Sequence, residues 1–227
     1  MNSIITGSFI TPVSNTATAF RKAYFDDVPE AAFDDNMNTN AVGPYWLTFA
    51  FLPLLEKWKE GQGGARFPPQ VIMTTSMNGW TKVRHAPSGT VASGMLNNLQ
   101  DPATSAKSFP YMFSKSALGH ATASLAHELI PLGIRVNSIA PGLFITEMSS
   151  PGTMDALGQS SLQGRTFEGI EVPVSAPVAS GEQRAGTRKD MATLVLFLVA
   201  NWFVDGETVL IDGGVRICSS ICGSTWS

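Results

Sequence analysis

Residues 133–148 have the sequence GIRVNSIAPGLFITEM, and this stretch decides the fold. Within it, residues 134–140 predict a short buried strand, because apolar β-branched residues recur there and Pro141-Gly142 ends the run. A long, Ala-rich segment with helical spacing comes directly before the strand. A helix followed at once by a buried strand is typical of a βαβ unit, so the stretch predicts a parallel sheet.

Further helices and strands alternate on either side of this strand. The predicted helices span residues 36–59, 111–132 and 190–201, and the predicted strands span residues 70–75, 134–140 and 207–211. Three segments lack periodicity and are rich in Gly, Ser, Thr, Pro or Asn: residues 8–35, 80–110 and 149–188. Because right-handed crossovers join successive parallel strands, we predict an α/β fold, a doubly wound parallel sheet with flanking helices.

The chain length is that of one α/β domain. At 227 residues the chain can bury a sizeable core, and no repeat or charge block divides it. We predict a single domain over residues 1–227. Within it we expect an irregular N-terminal segment (1–35) with a candidate edge strand, a substrate loop or lid (149–188) and a C-terminal tail (215–227).

Charge and hydropathy exclude several classes of partner. The 15 basic and 18 acidic residues give a net charge of −3, and the basic residues are scattered. We therefore expect neither nucleic acid nor an anionic membrane surface as a partner. The longest apolar run, residues 191–204, is shorter than the ~20 residues that span a bilayer. No positive charge precedes Arg21, so we expect no secretory leader and a cytoplasmic location.

The cysteines and histidines do not form a metal-binding pattern. The two cysteines, Cys218 and Cys222, have no neighbouring ligand to complete a tetrahedral site, and the three histidines are dispersed. We predict no metal site.

The sharpest chemical signal is the segment YMFSK, residues 111–115. Tyr111 and Lys115 are four residues apart, so both side chains lie on one face of a helix, with Cβ atoms about 5–6 Å apart. An ammonium group at this distance stabilises a phenolate, which suits the tyrosine to general acid or base catalysis. Taken alone, such a pair is more often a surface contact.

Other motifs supply a context for this pair. NTNAVG lies at residues 38–43, TTSMNG at 74–79, DMATLVLFLVA at 190–200 and ETVLIDGG at 207–214. Together with YMFSK and GIRVNSIAPGLFITEM, these motifs closely resemble those of the short-chain dehydrogenase/reductase family, in the same order over residues 36–214. The stretches RAGTRKDMA (184–192) and DGGVRI (212–217) further resemble fungal ketoacyl-reductase-like members.

The resemblance implies a role for each of four residues. Tyr111 would exchange a proton with a substrate oxygen, and Lys115 would support it and, in a reductase, bind the nicotinamide ribose. Ser76 would hydrogen-bond the same substrate oxygen. Asn40 would hold a water that links Lys115 to solvent.

Four more residues lie where the family holds a nicotinamide ring and its carboxamide: Pro141, Gly142, Ile145 and Thr146. If no nicotinamide binds, Pro141-Gly142 is only the turn that ends a strand.

The sequence departs from the family at the nucleotide-binding half. The glycine-rich turn TGxxxGxG, at which backbone amides approach a pyrophosphate, does not occur in the 227 residues. Residues 3–7 (SIITG) align instead with the family's fourth strand, and Ile-Ile-Thr replaces its Asn-Asn-Ala. This alignment leaves out the first three strands, so we expect a truncated Rossmann-like fold and no cofactor for this chain alone.

Three functions remain open. The first is acid/base chemistry (isomerisation, dehydration or cyclisation) on a small carbonyl compound without hydride transfer. The second is an NADP(H)- or NAD(H)-dependent ketone or ketoacyl reductase whose nucleotide-binding half is missing from this chain. The third is a non-catalytic binding protein. Under each of them, residues 36–59 and 111–132 resemble the family's dimer helices and predict a homo-oligomer, a dimer or a tetramer.

Overall fold

In the part of the chain that the structure describes, three strands form a sheet with helices on both faces. The computed structural model describes residues 16–79, 102–142, 144, 146 and 186–214. The strands are β1 (Gln70–Thr74), β2 (Arg135–Pro141) and β3 (Thr208–Ile211). The helices are α1 (Ala17–Arg21), α2 (Glu30–Met37), α3 (Gly43–Glu60), α4 (Pro102–Leu129) and α5 (Arg188–Ala200), with π-helical turns at Lys22–Asp26 and Asn38–Val42.

All described strand pairs are parallel, in the order β1-β2-β3. Val71 of β1 lies opposite Val136 of β2, and Ser138 of β2 lies opposite Thr208 of β3. Each strand therefore ends at the same edge of the sheet, which is where parallel α/β sheets collect functional side chains.

The two faces of β2 contact different helices. Val136 joins Leu118, Leu125 and Leu129 of α4 in one buried cluster. Arg135 is on the opposite face, because neighbouring residues of a strand alternate, and its Nη1 donates to the carbonyl oxygen of Leu198 in α5. Helices thus cover both faces, and the predicted doubly wound α/β architecture is confirmed.

A buried arginine holds the end of α5 against the sheet. Arg135 Nη1 also donates to the carbonyl oxygens of Asn201 and Val204, at 3.2 and 2.9 Å. Burial lowers the pKa of the Arg135 guanidinium, and the nearby Asp205 carboxylate opposes that shift. Leu198 lies in the last turn of α5, whose carbonyls a helix end leaves unpaired, and Asn201 and Val204 follow the helix, so Arg135 joins the end of α5 and the segment after it to β2.

The predicted irregular segments contain more helix than expected. Residues 16–37 are largely helical, and α4 begins at Pro102 rather than at residue 111, so Tyr111 lies inside the helix and not at its start. The tyrosine ring of Tyr24 packs edge-on against Phe109 at 5.3 Å, and Phe33 packs against Phe113 at 5.8 Å. These ring contacts hold the N-terminal helical segment against α4. They join residues far apart in the chain, so local sequence does not reveal them.

Several sequence predictions lie largely or wholly outside the described residues. They concern the lid over 149–188, the tail over 215–227, and the two cysteines. None of the described helices is long and apolar enough to cross a bilayer. The described residues also contain no group of three acidic, histidine or cysteine side chains that could hold a metal ion.

Candidate active site at the carboxyl edge of the sheet

Ser76 lies just beyond the end of β1. Thr75 keeps the chain on the sheet past the strand, because its backbone N–H and its hydroxyl both donate to the carbonyl oxygen of Ile139, at 2.8 and 3.0 Å. Ser76 is buried, and its Oγ accepts from the backbone N–H of Asn78 at 3.2 Å. This bond closes a tight turn that continues into the 3₁₀ turn Met77–Gly79.

The 3₁₀ turn is fixed to α4 at the level of Lys115. A Cβ atom on Gly79 would lie 3.1 Å from the carbonyl carbon and oxygen of Lys115, so the two backbones are in close contact. The hydroxyl of Ser116 donates to the carbonyl oxygen of Gly79. Because Gly79 is three residues after Ser76, this contact brings the Ser76 turn to the helix that carries Tyr111.

Tyr111 and Lys115 lie one helical turn apart, as predicted. Lys115 Nζ is 5.7 Å from the centroid of the Tyr111 ring. It also donates to the carbonyl oxygen of Thr74 at 2.9 Å, across the gap between α4 and β1. Burial lowers the pKa of the Lys115 ammonium, since a half-buried cation loses hydration.

Asn40 is connected to Tyr111 through a residue that the sequence analysis did not single out. Asn40 Nδ2 donates to Ser114 Oγ at 3.1 Å, and Ser114 Oγ donates to the carbonyl oxygen of Tyr111 at 2.8 Å. Ser114 is completely buried. Asn40 lies in the π-helical turn Asn38–Val42, a type of distortion that is frequent at functional sites. The position of Ser114 inside YMFSK is the signal that could have identified it.

The end of β2 lies beside the Ser76 turn. Gly142 donates its N–H to the carbonyl oxygen of Ile211, and a Cβ atom there would lie 2.6 Å from Asp212 Cβ and 3.4 Å from Met77 Sδ. Glycine is required at position 142 because the end of β3 approaches the backbone there closely. Of the other nicotinamide candidates, Pro141 is half-buried, Thr146 is exposed, and Ile145 lies outside the described residues.

Comparison with known proteins identifies the family of this chain. The model of the family described as Enoyl-(Acyl carrier protein) reductase matches residues 95–216, more than half of the chain. The chain belongs to the short-chain dehydrogenase/reductase family. Its α/β fold and the predicted resemblance are both confirmed.

Proteins similar to this chain have fungal, mammalian and bacterial origins. Short-chain dehydrogenase/reductase SAT3 of Stachybotrys chartarum is 31% identical over 215 residues, 86% of this chain and 65% of that protein. Human dehydrogenase/reductase SDR family member 4 is 30% identical over 204 residues, 89% of this chain and 58% of that protein. The solved RhlG/NADP active-site complex of Pseudomonas aeruginosa is 25% identical, with a TM-score of 0.51 over 82% of this chain and 60% of that one.

The chain spans roughly three fifths of the length of these three proteins. The family-model match includes Tyr111, Lys115, Pro141 and Gly142, whereas Asn40 and Ser76 precede it. The roles of the individual residues therefore remain predictions.

Gly79 and Gly119 provide a matched test of the contact between the 3₁₀ turn and α4. Gly79→Ala should lower the free energy of unfolding by about 1–3 kcal/mol, because the added Cβ meets helix backbone that cannot easily move. Gly119 lies within α4, and a Cβ added there meets open space. Gly119→Ala should therefore raise the free energy of unfolding by up to about 1 kcal/mol. Urea denaturation measures both. Equal effects of the two substitutions would contradict the close contact.

Proposed function

We propose that the chain catalyses proton transfer on a small carbonyl compound, with Tyr111 as the acid or base. The observation that supports the proposal is the geometry of one helix face. Lys115 Nζ lies 5.7 Å from the Tyr111 ring, and the turn that carries Ser76 is fixed to α4 beside Lys115. A proton donor, a neighbouring cation and a hydroxyl are thus held by rigid elements, as acid/base catalysis requires.

Each residue has a distinct task in the proposed reaction. Tyr111 exchanges a proton with the substrate, and Lys115 stabilises the tyrosine when it is deprotonated. The Ser76 hydroxyl donates a hydrogen bond to the substrate oxygen as negative charge develops there, as in an oxyanion hole. Enolisation, isomerisation, dehydration and cyclisation all need these groups and no hydride.

Asn40 is proposed to take part in replacing the proton. Asn40 and Lys115 line the same cavity, of about 470 Å³. A water held by Asn40 in this cavity could pass a proton between Lys115 and solvent. Hydrogen bonds through Ser114 also connect Asn40 to the backbone of Tyr111, so α4 fixes the position of the Asn40 side chain.

The residues present do not fit a complete dinucleotide. The 227 residues include no TGxxxGxG turn to approach a pyrophosphate. Gly142, at a proposed nicotinamide position, contacts the end of β3 and is explained by that packing. The 227 residues therefore supply no pyrophosphate site of this type, and we derive no step through a nicotinamide.

A second candidate function is nicotinamide-dependent reduction of a ketone. The names of the relatives favour it, since SAT3 and the human protein are called dehydrogenase/reductases and the RhlG structure is an NADP complex. On this alternative, a further polypeptide segment would supply the pyrophosphate site, and Tyr111 would donate a proton to the carbonyl oxygen of the ketone.

Substitution of the site residues tests the mechanism. Once a screen of carbonyl compounds finds a substrate, Tyr111→Phe should lower kcat by about 10²–10⁴-fold, because the proton donor is lost. Ser76→Ala should cost about 10²–10³-fold, as for one lost oxyanion donor. Lys115→Met should lower kcat and move its pH profile upward, because the phenolate loses its cation.

Tyr45→Phe is the matched control, since Tyr45 is exposed on α3 and should tolerate the loss of its hydroxyl. Near-normal turnover of Tyr111→Phe would place the chemistry elsewhere. If no compound is turned over, the non-catalytic alternative gains support.

Binding of nicotinamide cofactors separates the two enzymatic functions. Without pyrophosphate and adenosine contacts, this chain should bind NADPH about a thousandfold more weakly than a full-length family member, a loss of about 4 kcal/mol. Isothermal titration calorimetry on the purified chain measures the affinity. A micromolar Kd would favour the reductase.

The exposed apolar side chains predict a homo-oligomer with a dimer as its minimum. Trp46 and Leu54 of α3 are 65% and 60% exposed, and Phe113 of α4 is 52% exposed. Such exposed side chains on α3 and α4 favour burial against a second copy. Light scattering at micromolar concentration should give at least a dimer mass, and Trp46→Glu should shift it towards the monomer. Phe203→Glu, beyond α5, should leave the α3–α4 dimer intact.

A further inference from the structure

A series of hydrogen bonds determines which end of the Asn40 side-chain amide contacts α4. Ser114 Oγ lies 2.8 Å from the carbonyl oxygen of Tyr111, an atom that can only accept. Two oxygen atoms lie this close only when a hydrogen lies between them, so the hydroxyl hydrogen of Ser114 is used in this bond. The Ser114 oxygen is left as an acceptor. The Asn40 group 3.1 Å from it is therefore the Nδ2 donor and not Oδ1.

A second contact gives the same orientation independently. Asn36 Nδ2 lies 2.8 Å from the carbonyl oxygen of Ala32, which again can only accept. This bond fixes the nitrogen end of the Asn36 amide, and the Asn36 Oδ1 acceptor lies 3.5 Å from Asn40 Nδ2. Two acceptors on different helices, Asn36 on α2 and Ser114 on α4, thus use the two hydrogens of the Asn40 amide.

The other end of the Asn40 amide is left for the cavity. Asn40 and Lys115 both line the cavity of about 470 Å³. Because both Nδ2 hydrogens are used, the Asn40 side-chain atom that remains for a molecule there is Oδ1, an acceptor. The Lys115 ammonium offers donors only. A water between the two residues would accept from Lys115 and donate to Asn40, whereas a reversed amide would present two donors to that water.

The surroundings of Ser114 suit it to hold this orientation. Ser114 is completely buried, whereas Asn40 is half-buried beside the cavity. Water does not compete for the hydroxyl of a completely buried serine, and hydrogen bonds are electrostatically stronger in such an environment. The bond from Ser114 to Tyr111 also lies within one turn of α4, so the acceptor that Asn40 meets is fixed to the helix that carries Tyr111.

We propose that Ser114 is a positioning residue that acts through Asn40. Its hydroxyl selects the amide orientation in which Asn40 offers Oδ1, a hydrogen-bond acceptor, to the cavity. The inference rests on the proposed proton transfer, because the task of this acceptor is to orient the water that passes a proton between Lys115 and solvent. It also restricts what Asn40 can bind to a hydrogen-bond donor, such as a water or a hydroxyl group, and excludes the carbonyl oxygen of a substrate.

NMR of the Asn40 side-chain amide tests the orientation on the complete chain without a substrate. Loss of the signal pair in Asn40→Asp assigns it. In the unaltered protein, nuclear Overhauser contacts should join the Nδ2 hydrogens to the Cβ hydrogens of Ser114, and both hydrogens should exchange slowly with water. Ser114→Ala and Asn36→Ala each remove one acceptor, so each should speed this exchange at least about fivefold.

Thr122 offers a matched control for the loss of a buried hydroxyl. Thr122 is also completely buried, and its hydroxyl also donates to a carbonyl oxygen of α4, that of Leu118 at 2.9 Å. It lies about 12 Å further along the helix than Ser114. Thr122→Val should therefore leave the exchange of the Asn40 amide hydrogens unchanged.

Turnover distinguishes positioning from a purely structural role. With a substrate of the proposed reaction, Ser114→Ala should lower kcat about tenfold at unchanged KM, because the water loses its acceptor. Ser114→Thr keeps the hydroxyl and should restore most of the lost rate. Thr122→Val should change kcat less than twofold.

Two outcomes would overturn the proposal. Missing Overhauser contacts, or fast exchange of the Asn40 amide in the unaltered protein, would mean that the amide is reversed or free to rotate. An equal loss of kcat in Ser114→Ala and Thr122→Val would mean that the Ser114 hydroxyl only supports the helix. If Ser114→Ala does not fold, Asn36→Ala tests the same amide at a half-buried position. Absence of turnover with every compound would count against the proposed function alone, since the NMR results require no substrate.

Discussion

The contact between the end of β1 and helix α4 is the constraint on which the candidate site depends. Gly79 brings the chain against the backbone of Lys115, and Lys115 Nζ reaches back to the carbonyl oxygen of Thr74. These two contacts define where Ser76 lies relative to the helix that carries Tyr111. The first contact joins backbone to backbone, and the second joins the Lys115 side chain to the backbone of β1, so the strand end and the helix are linked at two points.

The remaining structure supports this contact from both faces of the sheet. The α4 side of the sheet has an apolar cluster in which Leu118 and Val136 are almost fully buried. The other side has Arg135, which binds the carbonyl oxygens at the end of α5. β2 is thereby held from both sides and positions β1 beside it. Residues 70–74 of β1 also line the cavity that Asn40 and Lys115 share, so the position of β1 determines one wall of that cavity.

The sequence predicted secondary structure correctly where local patterns are strong. It failed where contacts between distant residues determine whether a segment is helical. The three described strands were predicted to within one residue at each end, because short apolar runs bounded by Gly, Pro or Asp have few alternatives. Residues 102–110 were predicted as irregular, since Ser, Thr and Pro110 weaken the helical signal. The rings of Tyr24 and Phe33, on distant segments, pack on Phe109 and Phe113 and stabilise the helix there.

The sequence by itself determined the parallel α/β fold, the family, and the Tyr111–Lys115 pair, because each depends on spacing within one segment or on motif order. Only the tertiary structure decided that Ser114 connects Asn40 to Tyr111, that Gly79 fixes the Ser76 turn to α4, and that β1 lines the same cavity as Asn40 and Lys115. These features join residues far apart in the chain, such as Asn40 and Ser114. Their contacts depend on how helices pack on a sheet, and no local periodicity encodes that packing.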